Sequence, residues 1–175
     1  PYGHHGEESK RGMYRPIGIN RNNFVAITQL RPYVPAEMMG VEWIAVGSNA
    51  FNEAVPFYAN VNATPAYLAN TGKDADTNNF YWANRLAGAL ADAHYAACIS
   101  HVERYQLKLA SEGHRLLKEF DEAYQAKPAE DATAYLTECN QKIADTAQAL
   151  TTDLLNKVLF SASVEMKNAF ARSDA

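Results

Sequence analysis

Two spacings of apolar residues divide this chain, an alternating one in its front part and a helical one behind it. From Met13 to Arg21 the sequence reads Met-Tyr-Arg-Pro-Ile-Gly-Ile-Asn-Arg, and Ile17 and Ile19 alternate with small or polar residues as a half-buried strand requires. Pro16 lacks a ladder donor, which places it near that strand's start or at a sheet edge. Arg21-Asn22-Asn23 tolerates turn geometry and leads into a second β-rich run, Phe24 to Leu30, so the simplest product is an antiparallel hairpin. Pro32 and Pro35 punctuate a connector, and Val41 to Val46 forms a third strand ending at Gly47. Ala50 to Val61 is extended in part through Val55, Phe57, Tyr58 and Val61, with Pro56 interrupting regular central pairing.

After a polar loop from Tyr67 to Asp76, Asp76 or Thr77 is the expected N-cap of a long helix. From about Asn79 to Gln125 the chain has no proline and is rich in Ala, Leu, Glu, Lys and Arg. Val102, Tyr105, Leu109, Leu116, Phe120 and Tyr124 recur at helical steps, and the gap at Gly113 is read as a kink. Pro128 ends this helix. A second helix spans about Ala129 to Ala171 on Leu136, Ile143, Ala147, Leu150, Leu154, Val158 and Phe170. Two such helices with a short connection pack antiparallel. At roughly 60 Å for some forty residues, each is longer than a small domain is wide, so part of the hairpin is expected to project or to pack on another chain or segment. The fold class is therefore α+β, with a strand-rich segment at 1–78 and a helical hairpin at 79–175.

Composition narrows the partners. Hydrophobic residues make up 47% of the chain, which excludes a disordered protein. Sixteen basic against twenty acidic residues give a net charge of −4, so no basic field favours nucleic acid. No apolar run is long enough to cross a bilayer, and the first residues lack the basic-then-apolar pattern of a secretory signal. Two cysteines, Cys98 and Cys139, do not make a disulfide framework and suit a reducing compartment or an indifferent one, and the cytoplasm is the expected location.

Local chemistry is sparse. His4 and His5 read as solvated loop histidines, with no third ligand at metal-site spacing. His94, Cys98 and His101 fall at i, i+4 and i+7 on one helical face, but ligand number and geometry must coincide for a site, and no fourth ligand is dictated. Cys98 and Cys139 lie mid-helix, where a thiol is packed and not activated. Gly47-Ser48-Asn49 follows a strand but lacks the second glycine of a nucleophile elbow. Arg15, Asn20, Arg21, Asn49, Asn52 and Asn60 border strands as candidate hydrogen-bond donors to a carboxylate or oxyanion, or as turn and surface residues. Neither metal nor cofactor is expected.

The strings Arg15-Pro-Ile-Gly-Ile-Asn-Arg21, Asn49-Ala-Phe-Asn-Glu-Ala-Val-Pro-Phe-Tyr-Ala-Asn60, Thr64-Pro-Ala-Tyr67, Asn79-Phe-Tyr-Trp-Ala-Asn-Arg-Leu86 and Ala91-Asp-Ala-His-Tyr95 resemble the C-terminal part of the dipeptidase A family and its secernin relatives. The resemblance implies a cysteine peptidase of the N-terminal-nucleophile hydrolase superfamily, with an αββα fold and dipeptide substrates. In that mechanism the cysteine at the mature N-terminus is the nucleophile and its α-amino group the base. Position 1 here is Pro1, so the nucleophile is expected in a segment outside this sequence, and the chain alone is expected to be inactive. The resemblance makes Arg15 the candidate catalytic arginine and Asn20 and Arg21 candidate substrate-binding residues. The alternative is a non-catalytic helical-hairpin module for oligomerisation or partner binding.

Overall fold

The computed structural model describes residues 22–69 and 71–166. Three strands, β1 (Phe24–Leu30), β2 (Gly40–Val46) and β3 (Val55–Tyr58), form one antiparallel sheet in the order β1-β2-β3. Phe24 lies opposite Val46 and Leu30 opposite Gly40; Val41 lies opposite Tyr58 and Ile44 opposite Val55. A 3₁₀ turn at Ala36–Met38 fills the first connection. The strand expected over Met13 to Arg21, and hence its hairpin with β1, lies outside the described residues.

Pro56 sits within β3 opposite Trp43, and the alternation of the ladder accounts for it. Ala59 N–H donates to the Gly40 carbonyl at 3.0 Å, so odd-numbered residues of this strand bond towards β2 and even-numbered ones face away. Pro56 therefore directs its missing donor to the outer edge of β3. On that edge the Asn140 side chain takes the place of a neighbouring strand. It accepts from Tyr58 N–H at 2.8 Å and donates to the Tyr58 carbonyl at 2.9 Å.

Three helices follow: α1 (Phe80–Ala93), α2 (Tyr95–Ala126) and α3 (Ala132–Val164). The N-cap of α1 is Asn79, whose side chain accepts from Tyr81 N–H at 3.1 Å. Asp76, an expected cap, instead accepts from Asn78 N–H in the preceding turn. The expected single helix over 79–125 is two helices, broken at His94 (φ −127°, ψ 46°), and α2 runs unbroken through Gly113. Gly113 serves close approach and not a kink, because a Cβ there would stand 2.8 Å from Pro56 Cδ. Lys127, before Pro128, is extended and ends α2 as expected; Asp131 then caps α3 by accepting from Ala134 N–H at 3.0 Å. The last helix ends at Val164, with Glu165 as its C-cap, short of the expected Ala171.

One core joins both halves. Met38, Val41, Val55 and Tyr58 from the strand region pack in the same cluster as Leu109 of α2 and Leu136, Ile143, Leu154 and Val158 of α3. One sheet face rests on α2, where the Trp43 and His114 rings stand 4.8 Å apart. With 33 residues, α3 is roughly 50 Å long by the standard rise.

Candidate functional site

Arg15, Asn20 and Arg21, together with His4 and His5, lie outside the described residues. The other sequence candidates are structural in their contacts. Asn52 is buried and donates to the Val46 and Gly47 carbonyls at 3.0 and 3.1 Å, closing the loop after β2. Gly47, at φ +85°, allows that loop to turn against Asn84 of α1, a conformation an L side chain rarely adopts. Ser48 offers its carbonyl to Phe51 N–H at 2.9 Å, and Asn60 donates to the Glu37 carbonyl at 3.4 Å. Asn49 Oδ1 is buried without a partner among the described residues.

The histidine and cysteine face does not assemble into a metal centre: among the described residues no three His, Cys, Asp or Glu side chains are grouped to hold an ion. His94 Nδ1 pairs with Glu165 at 3.0 Å, and His101 Nε2 lies 3.4 Å from Ser161 Oγ. Cys98 is buried between them, and its thiol reaches the Val158 carbonyl at 3.9 Å. Burial raises the Cys98 thiol above its ordinary value, and burial pushes Cys139 up to about 11. Both thiols are thus unionised near neutrality, the opposite of an activated nucleophile. The Ser161–His101 contact is long, and Ser161 is held inside α3, so it lacks the exposed, oriented hydroxyl of an acyl-transfer site.

Sequence reading missed two polar assemblies, one between the sheet region and α2 and one among the three helices. In the first, Arg31, 4% exposed, donates to Asp121 at 2.6 and 3.3 Å and to the Met38 carbonyl at 2.6 Å. Tyr58 donates its phenol to Asp121 at 2.8 Å. Burial, then the Asp121 carboxylate, raises the Tyr58 phenol far above its ordinary value and keeps it a donor. A cleft of about 410 Å³ opens beside this group, lined also by Gln29, Trp43, His114 and Gln125. Both terminal nitrogens of Arg31 are taken, by Asp121 and the Met38 carbonyl, while its Nε is buried without a partner among the described residues; the side chain fastens the end of β1 to α2. In the second assembly, Tyr105 donates to Asn84 Oδ1 at 3.0 Å and lies 3.1 Å from Thr151 Oγ1, joining all three helices. Nothing local signalled either group, since Arg31 and Asp121 are 90 positions apart.

The described residues thus form a scaffold without a paired nucleophile and activated base. Comparison with known proteins supplies what the local chemistry does not. Residues 1–108 match the family model described as "Peptidase family C69". The chain is 43% identical over 174 residues to "Probable dipeptidase A" of Streptococcus pyogenes serotype M18 (strain MGAS8232), which covers 99% of this chain and 36% of that protein. It is 39% identical over 212 residues to "Dipeptidase" of Bifidobacterium longum (strain NCC 2705), covering 99% and 40% respectively. With "Dipeptidase A" of Lactobacillus helveticus it shares 35% identity over 158 residues, covering 90% and 33%. The chain spans between a third and two-fifths of the length of these relatives.

Proposed function

Because the chain belongs to peptidase family C69, we propose that it is the C-terminal portion of a cysteine-type dipeptidase whose nucleophile lies outside these 175 residues. The observation that carries this reading is the 43% identity, over almost the whole chain, to a protein named as a probable dipeptidase. The same reading makes the parent an N-terminal-nucleophile hydrolase of αββα architecture. Here the sheet of β1 to β3 is part of a larger one, with the helices as an outer layer. Exposed apolar side chains on β1, with Phe24 at 61% and Leu30 at 71%, support burial of this strand by further protein.

In this mechanism the terminal thiolate attacks the scissile carbonyl of a dipeptide, its α-amino group takes the proton, and preorganised donors hold the oxyanion. Arg15 orients the nucleophile or the substrate carboxylate, a task suited to a forked, permanently charged guanidinium. Asn20 and Arg21 bind the substrate from the same segment. The buried, un-ionised Cys98 and Cys139 take no part. Free cysteines of this kind suit a reducing compartment such as the cytoplasm, and no helix among the described residues is long and apolar enough to cross a membrane.

Alkylation of the full-length native protein with iodoacetamide near neutral pH tests the assignment. One cysteine, the mature N-terminal one, is expected to react rapidly, with matching loss of dipeptide hydrolysis, while Cys98 and Cys139 stay unlabelled by peptide mapping. Activity loss that tracks labelling of Cys98 or Cys139, or a gene without a cysteine that processing can expose, sinks the proposal.

A further inference from the structure

We propose that the groove between α2 and α3 is a binding site for a small phosphate-class dianion, independent of the peptidase reading above. The groove encloses about 210 Å³ and is lined by His101, Arg104 and Lys108 on α2 and by Asp153 and Lys157 on α3. Their places are set by helical periodicity. His101, Arg104 and Lys108 fall at i, i+3 and i+7, and Asp153 and Lys157 at i and i+4, so each set is a stripe beside the buried seam.

The charge balance is the feature that points to an anion, with the charged side chains exposed along the rim of the groove. Three basic side chains face one carboxylate, leaving two formal positive charges uncompensated within the lining, in a chain whose net charge is −4. Lys157 is held by Asp153 at 2.6 Å. Farther along α2, Arg115 is paired with Glu112 and Glu119, and Lys118 with Glu122. Arg104 and Lys108 form no such ion pair among the described residues. The floor of the groove is apolar and aromatic, because the Tyr105 hydroxyl is turned inward to Asn84 and Thr151. Because these cations are exposed, their attraction for an anion has surface strength and is screened by salt. The fork of Arg104 suits a tetrahedral oxyanion, Lys108 adds a point charge, and two excess positive charges match a dianion.

The test is titration of the full-length protein with inorganic phosphate, with ionic strength held constant by chloride, read by calorimetry and by thermal denaturation. Saturable binding and a rise in Tm are expected. Arg104→Gln combined with Lys108→Gln should weaken binding at least about ten-fold, the scale of one lost charge-assisted hydrogen bond. Asp153→Asn should tighten it roughly two- to five-fold by removing the competing carboxylate. This opposite sign separates a site from mere damage to the fold. Three results overturn the proposal: phosphate acting no differently from chloride, equal affinity in the double variant, or weaker binding in Asp153→Asn. Succinate binding as tightly as phosphate does so too, by assigning the groove to carboxylates.

Discussion

Arg31 illustrates how a single buried cation organises its surroundings. Its guanidinium draws together Asp121 of α2 and the Met38 carbonyl, and through Asp121 it holds the Tyr58 phenol. Removing the carboxylate leaves the charge buried without compensation, so Asp121→Ala should lower unfolding free energy by about 3–5 kcal/mol. Urea denaturation measures this, and a loss below about 1 kcal/mol would place the pair with exposed ion pairs of little worth. Alkaline pH probes a different residue. The Cys139 thiol stays protonated to about 11 in the folded protein, against an ordinary value of 9.0. Above pH 9 the unfolded chain therefore loses this proton first, and stability should fall as pH rises from about 9 to about 11. Below pH 9 the contribution is complete. Denaturation midpoints measured across that range should decline, and Cys139→Ala should flatten the decline. Tyr67, pushed up to about 12 by burial, extends the same trend to higher pH. The packed Cys139 thiol was legible from its mid-helix position, whereas the Arg31 network was not, because Asp121 and Tyr58 are ordinary in their local patterns and meet only through the tertiary fold.

Helices and strands were more legible than the joints between them. The β-rich runs Phe24 to Leu30 and Val41 to Val46 read as strands, and β1 and β2 occupy those positions. Prolines at 32, 35 and 128 marked true interruptions. The break at His94 was hidden because no glycine or proline stands there, and the gap at Gly113 misled because glycine is used for contact. Two substitutions on these helices separate the alternatives. At Gly113 an added methyl meets the ring of Pro56 at 2.8 Å, and that strain should outweigh the better helix propensity of alanine. Gly113→Ala is thus expected to destabilise by about 1–2 kcal/mol. At Gly88 the new Cβ would stand 3.5 Å from Phe51, an ordinary contact. There propensity dominates, and Gly88→Ala should stabilise by about 0.5–1 kcal/mol. Thermal denaturation of the two variants checks both signs, and a stabilised Gly113→Ala would contradict the close-approach reading.

Across the whole molecule, the helical part does not stand apart from the strands. Asn140 of α3 completes the edge of β3, and Leu136, Ile143 and Leu154 share a core with Val41 and Val55. The family was legible in uncommon strings of the first hundred residues, and the match over residues 1–108 covers the region in which they occur. The catalytic residues were not legible in the same way. Arg15, Asn20 and Arg21 rest on resemblance, and the described residues contain no paired nucleophile and activated base.

The central claim is that this scaffold serves a nucleophile carried elsewhere in the same enzyme. Its most direct test is dipeptide hydrolysis measured on the full-length protein, on the same protein with its mature N-terminal cysteine replaced by alanine, and on the 175-residue chain alone. The account predicts turnover of dipeptides by the first and none above background by the other two. Hydrolysis that survives the cysteine substitution, or that the isolated chain performs, would contradict it.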